Sequence, residues 1–139
     1  MTVKNKETIK KLIEKKLLGE KKYLVADYTA RKLAEETGIN QRYLSEVLRQ
    51  EFNANYASLV NGYRVKEAIK LLSDSHFRDL SIEDIGDKVG FAYRQTFYAA
   101  FVRFTGTTPR AFRLQQEQMG GTETVNRNRI RIKGNTEYE

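Results

Sequence analysis

Two short runs of the 139-residue chain place hydrogen-bonding side chains at helical spacing: Gln41, Arg42, Ser45, Glu46 and Arg49 in one, Arg94, Gln95 and Tyr98 in the other. An arginine offers two parallel donors to a pair of acceptors, and a glutamine offers a donor beside an acceptor. Such groups make and break no bonds by themselves; they match the edges of base pairs. Arginine suits guanine, glutamine suits adenine, serine suits several bases, and a glutamate accepts from cytosine. A tyrosine such as Tyr98 adds a hydroxyl for a phosphate and a ring for a thymine methyl. Groups for covalent chemistry are scarce. There is no cysteine, a single histidine (His76) with no partner at ligand spacing, and no glycine-rich loop to cradle a phosphate. No paired carboxylates stand apart from ordinary helix caps. Recognition chemistry is expected; an enzyme, a metal site and a cofactor are not.

The elements that must present these side chains repeat along the chain. Leu33-Ala34-Glu35-Glu36-Thr37-Gly38-Ile39 precedes Tyr43, Leu44, Val47 and Leu48, while Ile85-Gly86-Asp87-Lys88-Val89-Gly90-Phe91 precedes Phe97 and Phe101. Each copy holds an apolar residue beside a small one, then a glycine, then a second apolar stripe. Two short helices meeting at a sharp turn need that order: the small residue permits close approach and the glycine accepts the turn's backbone angles. Leu33 and Ile85 are 52 positions apart, whereas Leu44 and Phe97 are 53 apart, so the second turn holds one extra residue. A helix pair of this kind is a frame for seating a helix in the DNA major groove.

Helical patterning dominates the rest. Ile9, Leu12, Ile13 and Leu17 share one stripe with lysines outside it, Gly19 is a stop, and Tyr23-Leu24-Val25 is an apolar connector expected to pack down. Thr29 caps a helix over 30–37 and Asn40 one over 41–51. Asn53 and Asn55 suit the bend before a long helix over 56–72, buried through Tyr56, Leu59, Val60, Tyr63, Ala68 and Leu71 or Leu72. Ser81-Ile82-Glu83-Asp84 resembles a capping box, and a helix over 94–104 follows. Gly106 ends that helix; Thr108 and the only proline, Pro109, start one carrying Ala111, Phe112 and Leu114. Residues 120–139 lose all apolar periodicity and are expected to form a flexible, solvated tail, including the basic stretch 127–133. The predicted organisation is an N-terminal helix plus first lobe over 1–54, a joining helix over 55–75, a second lobe over 76–119 and the tail. Seventeen residues over 56–72 span roughly 25 Å at about 1.5 Å each, which with the lobes' half-widths approaches the roughly 34 Å between successive major-groove faces.

Charge agrees with a polyanionic partner. The chain carries a net +7, and all of the excess lies in residues 1–113, with 21 basic against 14 acidic side chains. A basic compact body gains affinity for DNA through counterion release, although acidic membrane surfaces attract the same charge. No apolar run is long enough for a membrane span or an ordinary signal peptide, so the chain itself is expected to be cytoplasmic and to make no membrane contact.

Val89-Gly90-Phe91-Ala92-Tyr93-Arg94-Gln95-Thr96-Phe97, Phe101, Gly106-Thr107-Thr108-Pro109 and Phe112-Arg113 resemble the signature of AraC/XylS-type transcriptional regulators. Tyr43-Leu44-Ser45 and Tyr63-Arg64-Val65, followed by Ala68 and Leu71-Leu72, resemble the same DNA-binding domain; the resemblance spans roughly 29–113. It implies an all-α, homeodomain-like fold of about seven helices, with two helix-turn-helix lobes joined by a long helix. The function it implies is sequence-specific binding of double-stranded DNA, with base contacts from the residues named above and phosphate contacts from Arg49, Arg103 and Arg110. RNA polymerase is an implied partner, as is a sensing or dimerisation domain, with residues 1–28 resembling the leading helix of versions that end larger sensors. Family members often carry arginine where Glu46 and Ala99 stand, and lysine where Val102 stands, which implies an altered sequence preference. Gly86 takes a place usually held by alanine, at roughly 1 kcal/mol of helix propensity. The alternative function is a helical protein-interaction module of a transcription complex in which DNA reading is weak or lost.

Overall fold

Short-range capping chemistry sets most of the helix boundaries in the computed structural model, which describes residues 5–119. The first helix, α1 (Lys6–Glu14), starts where the Asn5 side chain accepts from the Thr8 amide. It runs into one π-type turn over Lys15–Gly19 and a 3-10 turn over Lys22–Leu24. Thr29 accepts from the Lys32 amide and opens α2 (Ala30–Thr37). Asn40 opens α3 (Gln41–Phe52), and Asn53, at φ 54°, ends it in the left-handed region that asparagine tolerates. Asn55 caps α4 (Tyr56–Ser73). Ser81 and Asp84 form a complete capping box on α5 (Ile82–Lys88), the two side chains each accepting from the other's amide. Two more helices follow, α6 (Arg94–Thr105) and α7 (Pro109–Gln118). Among the described residues every regular element is helical.

The buried residues form one continuous core, and its two lobes differ in character. In the first, α1 packs on α2 and α3, burying Ile9, Ile13, Leu33, Leu44, Val47 and Leu48 at 1% exposure or less. The second is a train of aromatic rings. Phe91 lies 5.0 Å from Phe97, Phe97 5.9 Å from Phe101 and Phe101 5.8 Å from Phe112, the last two pairs edge to face. Between the lobes, α4 contacts α3, α5, α6 and α7 together with the 3-10 turn at 22–24. Its surround is nearly complete: Leu59, Val60, Tyr63, Val65, Ala68, Leu71 and Leu72 are all buried. Close packing on most sides leaves α4 little room to bend independently of its neighbours.

Gly86 and Gly90 hold the second lobe together by what they lack. A Cβ on Gly86 would stand 2.6 Å from Cδ2 of Phe97, so α5 and α6 approach more closely than alanine permits. The loss of helix propensity at Gly86 is offset by room for a full phenyl ring in the core. Gly90, at φ 106°, makes the turn between α5 and α6 in a conformation that side chains resist.

Some expectations need correction. The connector 23–25 does not pack down as a unit: Tyr23 is buried, Leu24 half-buried and Val25 exposed. Tyr56 is only half-buried, since its hydroxyl turns to donate to the carbonyl oxygen of Tyr28. The last helix, α7, carries Ala111, Phe112 and Leu114 as expected; of these only Phe112 is buried, alongside Pro109 and Gln116. The 120–139 tail lies outside the described residues.

Candidate nucleic-acid interface

Asn40 prepares the start of α3 by accepting from the amides of Arg42 at 2.8 Å and Tyr43 at 3.2 Å. With Leu44, Val47 and Leu48 turned into the core, the helical period forces Gln41, Arg42, Ser45 and Arg49 outward. All four are exposed, and Glu46 is half-buried. Among the described residues neither Arg42 nor Arg49 is engaged in an ion pair. Their charges face solvent uncommitted.

The second presenting helix is built differently. At its start Tyr93 supplies no capping side chain, and its own ring is 74% exposed. Phe97, Ala100, Phe101 and Phe104 form the buried face of α6, which leaves Arg94, Gln95, Ala99, Val102 and Arg103 exposed and Tyr98 half-buried. Arg94 is committed: its Nε lies 3.2 Å from Oε2 of Glu83 on α5, and its guanidinium carbon is 5.1 Å from the centre of the Tyr98 ring. Between α6 and the start of α4 runs an open groove of about 460 Å³ whose polar lining includes Asn55, Ser58, Asn61, Gln95, Thr96 and Arg103. Arg110, at the second position of α7, is also exposed.

The structure therefore gathers Arg94, Gln95 and Tyr98 on one helix and Gln41, Arg42, Ser45, Glu46 and Arg49 on another. It adds Glu83, which sequence reading passed over because only the folded turn brings α5 to α6. It also shows what Arg113 does: the guanidinium donates to the carbonyls of Leu80 at 2.6 Å and Phe77 at 3.4 Å, tying α7 to the segment before α5. His76 has a local partner, its Nδ1 lying 2.8 Å from Oδ1 of Asp74. Hydrogen bonds from the His76 amide and ring hold that carboxyl below its ordinary range.

Beneath the interface sits Arg64, 8% exposed. From the middle of α4 its Nε donates to the Tyr23 carbonyl at 2.6 Å and a terminal nitrogen donates to the Val25 carbonyl at 3.1 Å. The guanidinium carbon also stands 5.7 Å from the centre of the Phe91 ring. Burial lowers the pKa of this guanidinium from its ordinary value. Burial, with Glu67 nearby, pushes the Tyr23 phenol up to about 12.

Two helix pairs with polar outer faces, joined by one buried helix, define a double helix-turn-helix protein. A helix-turn-helix domain family matches residues 33–115, and the chain belongs to that family in its AraC-type form, a class of non-enzymatic DNA-binding transcription regulators. Among solved structures, the chain is similar to the C-terminal domain of AraT, a response regulator from Geobacillus stearothermophilus, at 25% identity and a TM-score of 0.64, covering 79% of this chain and 84% of that one. The C-terminal domain of the two-component response regulator yesN from Fusobacterium nucleatum is similar at 25% identity and a TM-score of 0.62, covering 78% and 96%. A DNA-binding transcriptional dual regulator from Escherichia coli K-12 shares the fold at 19% identity and a TM-score of 0.63, covering 85% and 97%. No curated protein sequence matches the chain. Within the described residues no helix is long and apolar enough to cross a membrane.

Proposed function

We propose that α3 and α6 enter two successive major-groove segments on one face of double-stranded DNA, so that a single chain reads about two turns of duplex. The observation that carries this reading is the pair of 12-residue helices with exposed polar starts, joined by the uninterrupted 18-residue α4. At about 1.5 Å per residue α4 is roughly 27 Å long, which suits the roughly 34 Å groove repeat once the lobes are added. Gln41, Arg42, Ser45 and Glu46 read one segment; Arg94, Gln95 and Tyr98 read the other. Arg49, Arg103 and Arg110 hold phosphates. The chain acts in the cytoplasm with RNA polymerase as its output partner. Its similarity to C-terminal domains of response regulators supports a separate receiver or sensing domain as its input.

An electrophoretic shift assay at two salt concentrations tests the mode of binding. Neutralising 6–10 phosphates should cost about 10³–10⁵ in affinity between about 50 and 200 mM salt. Salt-insensitive or absent duplex binding would instead support a protein-interaction module. Arg94→Ala and Gln95→Ala should each relax preference within one half-site by about 1–3 kcal/mol per lost bidentate contact. Competition between matched and single-base-changed duplexes measures this, and uniform weakening on every sequence would reduce both residues to backbone contacts.

A further inference from the structure

Arg94 is held on two sides by its own protein. Glu83 Oε2 lies 3.2 Å from Nε in an ion pair, and the Tyr98 ring lies under the guanidinium at 5.1 Å. The Tyr98 ring is itself fixed edge to face against the buried Phe97, at 5.9 Å and 83°. The ion-pair contact is at the inner nitrogen, and among the described residues the two terminal nitrogens make no hydrogen bond to the protein. Those terminal groups form the fork that fits a guanine O6 and N7. Glu83 lies in the acidic first turn of α5, where a carboxylate suits the helix dipole, but takes no part in the capping box, which Ser81 and Asp84 complete between themselves. A negative charge beside a DNA-facing arginine opposes phosphate binding, and its reach to Arg94 on the neighbouring helix goes beyond what the α5 start requires.

We propose that Glu83 is a positioning residue for sequence reading: by holding Arg94 at Nε it presents the terminal fork of Arg94, stacked on Tyr98, to a guanine. The proposal rests on the reading of Arg94 as a base contact. It trades general affinity for discrimination, because the same carboxylate repels every phosphate equally while ordering the one side chain that distinguishes bases. Tyr98 then acts mainly as the platform under Arg94, in addition to any contact of its own.

The test compares affinity for a duplex selected from a random pool with affinity for its scrambled counterpart. Glu83→Ala should strengthen binding to the scrambled duplex and reduce the selected-to-scrambled ratio by about two- to fivefold, the scale of an exposed ion pair. Glu83→Gln keeps the side-chain shape but removes the charge that makes the ion pair, and should lower the ratio as Glu83→Ala does. In an Arg94→Ala background Glu83→Ala should leave the ratio unchanged, as expected when one residue acts only through the other. Scrambled-duplex binding reports folding in every variant. A ratio that is unchanged or raised in Glu83→Ala overturns the proposal and makes the carboxylate a bystander or a competitor. If Arg94→Ala itself leaves the ratio intact, the base-reading role of Arg94 fails first, and the role of Glu83 with it.

Discussion

Replacing Gly90 with alanine is expected to destabilise the protein by about 2–5 kcal/mol, the sum of strain at positive φ and overpacking. The backbone there stands at φ 106°. The new Cβ would lie 2.7 Å from the Tyr23 carbonyl oxygen, 2.9 Å from Arg64 Nε and 2.9 Å from the carbonyl carbon of Leu24. Two of these neighbours are backbone and the third is a buried guanidinium, so none can swing aside as a flexible side chain would. Domains of this size are stable by only about 5–15 kcal/mol, and urea denaturation should show a clear fall in the midpoint. A change below about 0.5 kcal/mol, the ordinary range for an unremarkable surface position, would show that connector and turn are not in close contact.

Arg64→Met should cost about 2–3 kcal/mol in the same assay, chiefly because the buried Tyr23 carbonyl loses its donor. The Val25 carbonyl is less affected, since the Tyr28 amide also donates to it at 3.2 Å. Opposing this loss is relief of the desolvation that lowers the pKa of Arg64, and replacing a buried charge by an apolar side chain is sometimes neutral. The hydrogen bonds should win here because Arg64 joins three separate parts of the chain: the connector, α4 and the turn before α6. Arg64→Lys keeps the charge without the planar fork and should recover only part of the loss. Stability equal to the parent in Arg64→Met would mean that desolvation and bonding cancel.

Both variants act at one junction, and its position is informative. Gly90 and Arg64 tie the start of the chain to the second lobe, although α1 itself packs on the first. The connector thus touches both halves of the reader, which contributes to holding their spacing.

Much of this was legible in the sequence because it is local. Helix starts at Thr29, Asn40, Asn55, Ser81 and Thr108 follow from side chains that bond amides two or three residues away, and each stands where the structure has it. The core positions of α3 and α6 followed from helical period alone. What escaped depends on contacts between distant segments. Nothing in the sequence marks Arg64 as buried; that depends on the connector, about 40 residues earlier, folding over it. Gly86 is a weak helix residue by propensity and a clearance for Phe97 in the fold. Leu114 is apolar yet half exposed, because the buried residues of α7 are Pro109, Phe112 and Gln116. Candidate base-readers are legible by residue type and helix face, whereas the pairing of Arg94 with Glu83 requires the turn geometry.

A single chain that spans two groove segments at a spacing fixed by α4 requires its half-sites at one helical phase. The most direct measurement is affinity for a selected duplex before and after about 5 base pairs, half a turn of duplex, are inserted between its two half-sites. A rigid spacer predicts a fall to the level of scrambled DNA, because the second half-site rotates to the far face and α4 can neither twist nor stretch to follow. Affinity that survives the insertion would contradict the account, leaving one lobe to read DNA or the two lobes to read it independently.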